Sequence, residues 1–368
     1  MRTTRFFALA LALALALLLL GSCAHVNPYY DASRPHHRPD GFQNNHVEFA
    51  PRGLLALLQW RWQAWRAGLP PRPARPTPAV PPDLDFIHRN AAAGAAMQPA
   101  VTWIGHATVL AQFDGRTLIT DPMFSERASP VDGVGPLRAQ PPGLRLDQLP
   151  HVDLVLISHD HYDHLDEASV RALQAQAGGA PLFVAPLGVG DWLRGWGATR
   201  VVELDWWQTH RDGAFELMLT PAQHWSGRGL LDRMRTLWGG FAVFAPGFHF
   251  FYSGDTGYSP DFREIAARLS ERQRDGGFDI ALLPVGAYEP RWFMSEQHVN
   301  PDEAVRIHRE LGARRSLGVH WGTFELTDEA LDAPPAALAL ARAAQGVADD
   351  AFFVLAVGET RRLPPRKR

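Results

Sequence analysis

From about Gln98 onward the chain is a succession of short apolar runs punctuated by Gly, Asp and Pro. Val101 to Phe113 and Thr117 to Thr120 flank Asp114-Gly115, a dipeptide that predicts a tight hairpin. Further runs are Leu154 to Ile157, Pro181 to Ala185, Phe215 to Leu219, Phe241 to Phe244, Phe248 to Tyr252, Ile280 to Pro284 and Ser316 to Val319. Their length and their β-branched and aromatic content predict buried strands. Helical segments are expected at Glu167 to Gln176, Pro260 to Arg272 and Pro301 to Leu311, the last with Asn300 as N-cap and Pro301 at the first helical position. No repeat of fixed period occurs, which removes solenoids and propellers. The pattern predicts an α/β domain with strands inside and helices outside.

Ahead of that domain, Ala24 to Asn90 is polar and irregular apart from one amphipathic helix expected over Gly53 to Ala67, which carries Trp60, Trp62 and Trp65. Those rings could touch lipid headgroups or pack on the main domain. Pro70 to Pro82 predicts an extended linker. His25, His36, His37 and His46 lie in this segment and are expected to be solvated.

At the N-terminus, Arg2 and Arg5 precede an apolar run from Phe6 to Leu20, followed by Gly21, Ser22 and Cys23. The run is shorter than the roughly 20 residues a spanning helix needs, and the layout is that of an export signal. Leu20-Gly21-Ser22-Cys23 resembles a bacterial lipoprotein signal, in which the cysteine carries the lipid; an uncleaved anchor is the alternative. Cys23 is the only cysteine, so no intrachain disulfide can form. Ala24 stands where Asp would imply retention in the inner membrane, so the periplasmic face of the outer membrane is the expected address.

Composition narrows the partners. With 368 residues, 46% hydrophobic and 20% charged, the chain can bury a sizeable core. Its formal net charge of -3 provides no broad field for a polyanion, which argues against nucleic acid.

The chemistry concentrates in His159-Asp160-His161-Tyr162-Asp163-His164, three imidazoles and two carboxylates directly behind an apolar run. Borderline and hard divalent cations take these ligands. More such residues follow other runs, at Thr220 to His224, Ser253 to Gly257 and His320 to Gly322. Strand ends on one edge of a sheet would bring them together.

The His-x-His-x-Asp-His pattern at His159, His161, Asp163 and His164 resembles the metallo-β-lactamase fold, an αββα sandwich. Several longer strings resemble the N-acylphosphatidylethanolamine-hydrolysing phospholipase D family. They are Trp103 to Thr108, Glu203 to Trp207, Pro221 to Trp225, Ser253 to Tyr258, Gly286 to Met294, Gln297 to Pro301 and His320 to Phe324, and the likeness runs from about Val101 to Glu359. Together with the N-terminal layout, the expected division is a signal over 1–22, an extension and linker over 23–97, a hydrolase domain over 98–362 and a basic tail over 363–368.

The resemblance also implies two Zn2+ ions, other divalent transition metals being alternatives. His159, His161 and His224 would hold one ion and Asp163, His164 and His320 the second, with Asp255 between them. Tyr162, Gln297 and His298 match positions lining the phosphate site, and Asp163, Asp255, Tyr162 and His298 form the implied catalytic set. Asp160 replaces the Asn usual in animal members and is expected to point away from the metals. His106 is expected to be a buried, hydrogen-bonded supporting residue. The Pro130 to Arg138 and Arg228 to Thr236 loops are candidates for the substrate entrance.

The implied activity is zinc-dependent cleavage of N-acylphosphatidylethanolamine to N-acylethanolamine and phosphatidic acid. The implied partners are a phospholipid and a membrane, reached through Cys23 and Trp-rich segments that include Trp206, Trp207 and Trp292; a dimer is an open option. A lactonase or other ester hydrolase, a β-lactamase and a non-catalytic envelope lipoprotein are the alternatives. The absence of any cysteine within the site residues argues against a typical two-zinc β-lactamase.

Overall fold

A computed structural model describes residues 26–48, 52–131, 133–229, 231–273 and 276–366. The export-signal and lipidation expectations, Cys23 and His25 lie outside these residues.

In chain order the strands are β1 (His37–Arg38), β2 (Gly41–Phe42), β3 (Ala100–Gly105), β4 (Thr108–Phe113), β5 (Arg116–Thr120), β6 (Leu154–Leu156), β7 (Leu182–Pro186), β8 (Val201–Leu204), β9 (Thr209–Asp212), β10 (Phe215–Thr220), β11 (Gly240–Ala245), β12 (Phe248–Tyr252), β13 (Ile280–Pro284), β14 (Ser316–Val319), β15 (Phe352–Phe353) and β16 (Thr360–Arg362). The helices are α1 (Leu54–Ala67), α2 (Leu84–Ala91), α3 (Glu167–Gln174), α4 (Val189–Gly195), α5 (Asp261–Arg268), α6 (Arg291–Met294), α7 (Pro301–Glu310) and α8 (Ala333–Gln345).

Two seven-stranded sheets face each other, ordered β16-β3-β4-β5-β6-β7-β8 and β15-β14-β13-β12-β11-β10-β9. Side chains alternate along each strand, so β6 sends Leu154 and Leu156 into the core between the sheets, with Phe113 and Phe250. Val155 goes the other way, into a second layer with Val170 and Leu173 of α3 and Leu193 of α4. Covered on both faces, β6 is apolar throughout. The αββα expectation therefore holds.

The Asn300 cap also holds: its side chain accepts from Glu303 N while Glu303 reaches back to Asn300 N, which fixes the start of α7. Asp114 and Gly115 have φ of 49° and 76°, the left-handed pair that a tight hairpin turn requires. Val101 to Phe113, however, is two strands, broken at His106-Ala107.

The polar extension departs most from expectation. Phe42 is 1% exposed, and its amide donates to Met234 O at 2.8 Å. His36 and His37 are buried rather than solvated, with Nε2 atoms 2.6 and 3.0 Å from Asp205 Oδ1 and Oδ2. Arg34 Nη1 reaches the same carboxylate at 2.8 Å, and His36 stacks on Trp206. A carboxylate 2% exposed needs such partners, and nothing local in the sequence shows that Asp205 would supply the demand. His46 is partly exposed and lies 3.2 Å from Glu264. Trp206 is likewise core rather than interface. Among the described residues no helix is long and apolar enough to cross a membrane.

Candidate metal centre

Strand direction assembles this site. β5 and β6 run parallel, and β3 shares their direction because both β3 and β5 pair antiparallel with β4. In the second sheet β10 and β12 both oppose β11, while β12, β13 and β14 are parallel. His106 follows β3, Asp121 follows β5, the His159–His164 loop follows β6, and His224, Asp255 and His320 follow β10, β12 and β14. All of them emerge at strand C-terminal ends. Gly254, with φ of 61°, makes the turn from β12 into Asp255 possible, since a Cβ there would sit 2.8 Å from both Gly239 O and Ser158 Cβ.

The side chains meet around Asp255. Its Oδ2 lies 3.1 Å from His164 Nε2, 3.0 Å from His320 Nε2, 3.9 Å from His224 Nε2 and 3.8 Å from His298 Nδ1. Asp163 Oδ2 stands 3.4 Å from both His164 Nε2 and His320 Nε2. On the other side, His161 Nδ1 is 2.8 Å from His159 Nε2 and 3.3 Å from His224 Nε2.

A surrounding network decides which nitrogens are free. His164 Nδ1 donates to Asp121 Oδ2 at 2.6 Å, and His224 Nδ1 donates to Gln297 O at 2.9 Å. Ser158 Oγ gives its proton to Asp121 Oδ2 at 2.5 Å and so accepts from His159 Nδ1 at 2.8 Å. With the Nδ1 positions spent as donors, His159, His164 and His224 turn Nε2 toward the shared volume. Tyr252 OH also donates to Asp121, and the side chain of Asn44 clamps the His224 backbone, donating to its O at 2.9 Å and accepting from its N at 3.0 Å.

Charge follows geometry. Burial pushes His159 and His161 well below the ordinary imidazole value, aided by neighbouring rings, and carries His224 down to about 4. These three are neutral near pH 7, the form that binds cations. Burial would also lower His164 and His320, but Asp255 and Asp163 outweigh it: His164 is raised strongly and His320 to about 9. The carboxylates of Asp163 and Asp255 lie well below their usual range, because neighbouring imidazoles overcome the burial that would raise them. The pocket thus attracts positive charge.

The donor set fits a cation. His164 Nε2, His298 Nδ1 and His320 Nε2, all within 4 Å of Asp255 Oδ2, are buried without a hydrogen-bond partner, a costly state for polar atoms unless something binds there. His159, His161 and His224 form one potential cation-binding group, and His106, Asp163, His164 and His320 another.

A family model described as the beta-lactamase superfamily domain matches residues 116–321. The chain belongs to the metallo-β-lactamase superfamily. Within it, the N-acyl-phosphatidylethanolamine-hydrolyzing phospholipase D 1 of Caenorhabditis elegans is 39% identical over 270 residues, 70% of this chain and 74% of that protein. An uncharacterised Mycobacterium tuberculosis protein is 44% identical over 280 residues, 75% of this chain and 70% of that one. In three dimensions the isothiocyanate hydrolase from Delia radicum gut bacteria superposes with a TM-score of 0.56 at 20% identity, covering 72% of this chain and 99% of that one. This superfamily member is a metal-dependent hydrolase.

The side chains of His159, His161, Asp163, His164, His224, Asp255 and His320, expected as ligands, all come together at these strand ends. So does His298, through Asp255. Gln297 contributes differently, because its side chain donates to Met294 Sδ at 3.2 Å while its carbonyl holds His224. Tyr162 OH donates to Arg228 O at 3.0 Å, and the Arg228 guanidinium lies 3.9 Å over the Tyr162 ring. Both line a cavity of about 870 Å3 with Trp192, Trp196, Pro130 and Val131, so parts of both candidate loops border a substrate-sized space.

Asp160 does point away, accepting from Gly227 N at 2.7 Å and Thr236 Oγ1 at 2.9 Å, and burial lifts it to about 6. His106 is buried and its Nε2 meets Asp163 Oδ2 at 2.9 Å. The sequence did not reveal Asp121, Ser158, Tyr252 or Asn44 as parts of the site. Asp121 could have been found, since it directly follows a predicted strand; Asn44 carries no such signal.

Proposed function

We propose that this protein is a phospholipase D-type phosphodiesterase that hydrolyses N-acylphosphatidylethanolamine to N-acylethanolamine and phosphatidic acid. The observation that carries the proposal is Asp255 Oδ2, within 4 Å of nitrogens from His164, His320, His224 and His298, between two groups of ligand-type side chains. His159, His161 and His224 would hold one divalent cation, Asp163, His164 and His320 a second, and Asp255 would serve both. When bound, such a pair supplies water of lowered pKa and neutralises charge at phosphorus. The 39% identity to the nematode phospholipase D supports the substrate.

The remaining roles belong to the chain itself. Asp121, Ser158 and the Gln297 carbonyl fix the orientation of the rings, so no reorganisation is needed as the reaction proceeds. His298 stands beside Asp255 and is placed to donate to a phosphate oxygen. Gln297 holds the wall next to it, while Tyr162 and Arg228 line the cavity that would take part of the lipid.

Export as a lipoprotein, with Cys23 lipidated and the enzyme on the periplasmic face of the outer membrane, belongs to the same proposal. A lipid anchor would confine the enzyme beside a nearly insoluble substrate. The test is mass spectrometry of products from mixed phospholipids and, separately, lactones. N-acylethanolamine and phosphatidic acid, formed by wild type and abolished in Asp255→Asn, are expected. Turnover of lactones with phospholipids untouched would overturn the assignment.

A further inference from the structure

Helix α1 has two apolar faces, and the described residues cover only one of them. Trp60 and Ala64, each 5% exposed, pack on α6, where the Trp60 ring lies 4.7 Å from Phe293 and its Nε1 donates to Asp328 Oδ2 at 2.9 Å. On the other side Leu55, Leu58, Trp62, Trp65 and Leu69 recur at alternating spacings of three and four and are 83%, 55%, 54%, 77% and 39% exposed. That spacing places the four helical members on one stripe, with Leu69 continuing beyond Gly68, which closes the helix in a left-handed conformation with φ of 66°. Soluble surfaces rarely leave so much contiguous apolar area uncovered.

Charge selects the occupant. Between residues 52 and 82 the chain carries Arg52, Arg61, Arg66, Arg72 and Arg75 and no acidic residue, within a protein of net charge -3. A second copy meeting this face across a two-fold axis would set like charges against each other. An anionic bilayer would instead draw the arginines to its headgroups while the Trp and Leu side chains enter the boundary below. We propose that α1 is an interfacial helix that docks its Leu55–Trp65 stripe into an anionic phospholipid surface.

This deepens the lipid-substrate assignment and rests on it for its purpose. The covered face of α1 lies on α6, and the amides of Gln297 and His298 donate to Met294 O at the end of α6, at 2.9 and 2.8 Å. One packing layer therefore separates the docked stripe from a wall of the candidate site.

The test is a depth measurement on the full chain, with Cys23→Ser so that an introduced thiol is the only one. Nitroxides at Trp65→Cys and Leu58→Cys would be read in vesicles of phosphatidylethanolamine and phosphatidylglycerol. Leu340→Cys on α8, at a position 74% exposed, serves as reference. Positions 58 and 65 should shift to high oxygen and low nickel-chelate accessibility while position 340 stays aqueous. Arg61→Glu with Arg66→Glu should return both to the aqueous value. Equal nickel accessibility at 58, 65 and 340 would overturn the proposal, as would spin–spin broadening that shows a second copy covering the stripe. No turnover is read, so insertion without phospholipid cleavage would sink the substrate assignment and leave this one standing.

Discussion

Two buried clusters of His and Asp sit in this molecule, and only one has the form of a reaction centre. At Asp205 both carboxylate oxygens are occupied by His36, His37 and Arg34, and His37 Nδ1 accepts from Asp31 N at 3.1 Å. At Asp255 the rings of His164, His159 and His224 are fixed from behind by Asp121, Ser158 and Gln297, and His164 Nε2, His298 Nδ1 and His320 Nε2 beside the carboxylate have no hydrogen-bond partner. Ligand-type residues crowd both places. What separates them is whether the polar atoms are satisfied: a satisfied cluster fastens one segment to another, while an unsatisfied, rigidly oriented one presents converging donors suited to a cation.

The largest expected effect comes from breaking the unsatisfied cluster. Asp255→Asn should lower metal affinity and turnover by at least about 100-fold, more than typical losses from supporting residues, as read by chelator competition and product formation. Asp205→Ala should do the reverse. It strands Arg34 and two imidazoles, so stability should fall by about 2–4 kcal/mol in denaturant unfolding while metal per folded chain stays the same.

Asn44 joins the two regions, because the hook fastened at Asp205 ends in the amide that clamps His224. Asn44→Ala should weaken metal binding by about 10-fold, with a smaller loss of thermal stability; unchanged affinity would separate the hook from the site.

The smallest effect is the response of the hook to pH. Burial holds His37 below its ordinary value of 6.5, so its contribution to stability is complete above pH 6.5 and falls as pH drops through that value. Burial would raise Asp205, but His36, His37 and Arg34 bring it below 3.8; its contribution persists to lower pH and disappears as the carboxylate protonates. Melting temperatures from pH 8 to 5 should therefore decline more steeply for wild type than for His37→Gln.

What the sequence made legible follows from distance along the chain. The two sheets, the capped α7 and the loop after β6 could be anticipated because alternation, caps and ligand spacing are local signals. Edge strands could not: β9 is Thr-His-Arg-Asp, polar because it borders solvent. Helix α8 opens on Ala-Pro-Pro and has the look of a loop, although proline is tolerated in a first turn. His36 and His37 were expected in solvent because their partner lies about 170 positions away, at separations of 169 and 168. The candidate ligands were legible as one set only through family resemblance, since no local rule joins His159 to His320.

Anomalous diffraction from zinc-loaded crystals tests the contrast most directly. Two peaks flanking Asp255 and none at Asp205 are predicted. A peak among His36, His37 and Asp205, or no peak beside Asp255, would contradict it.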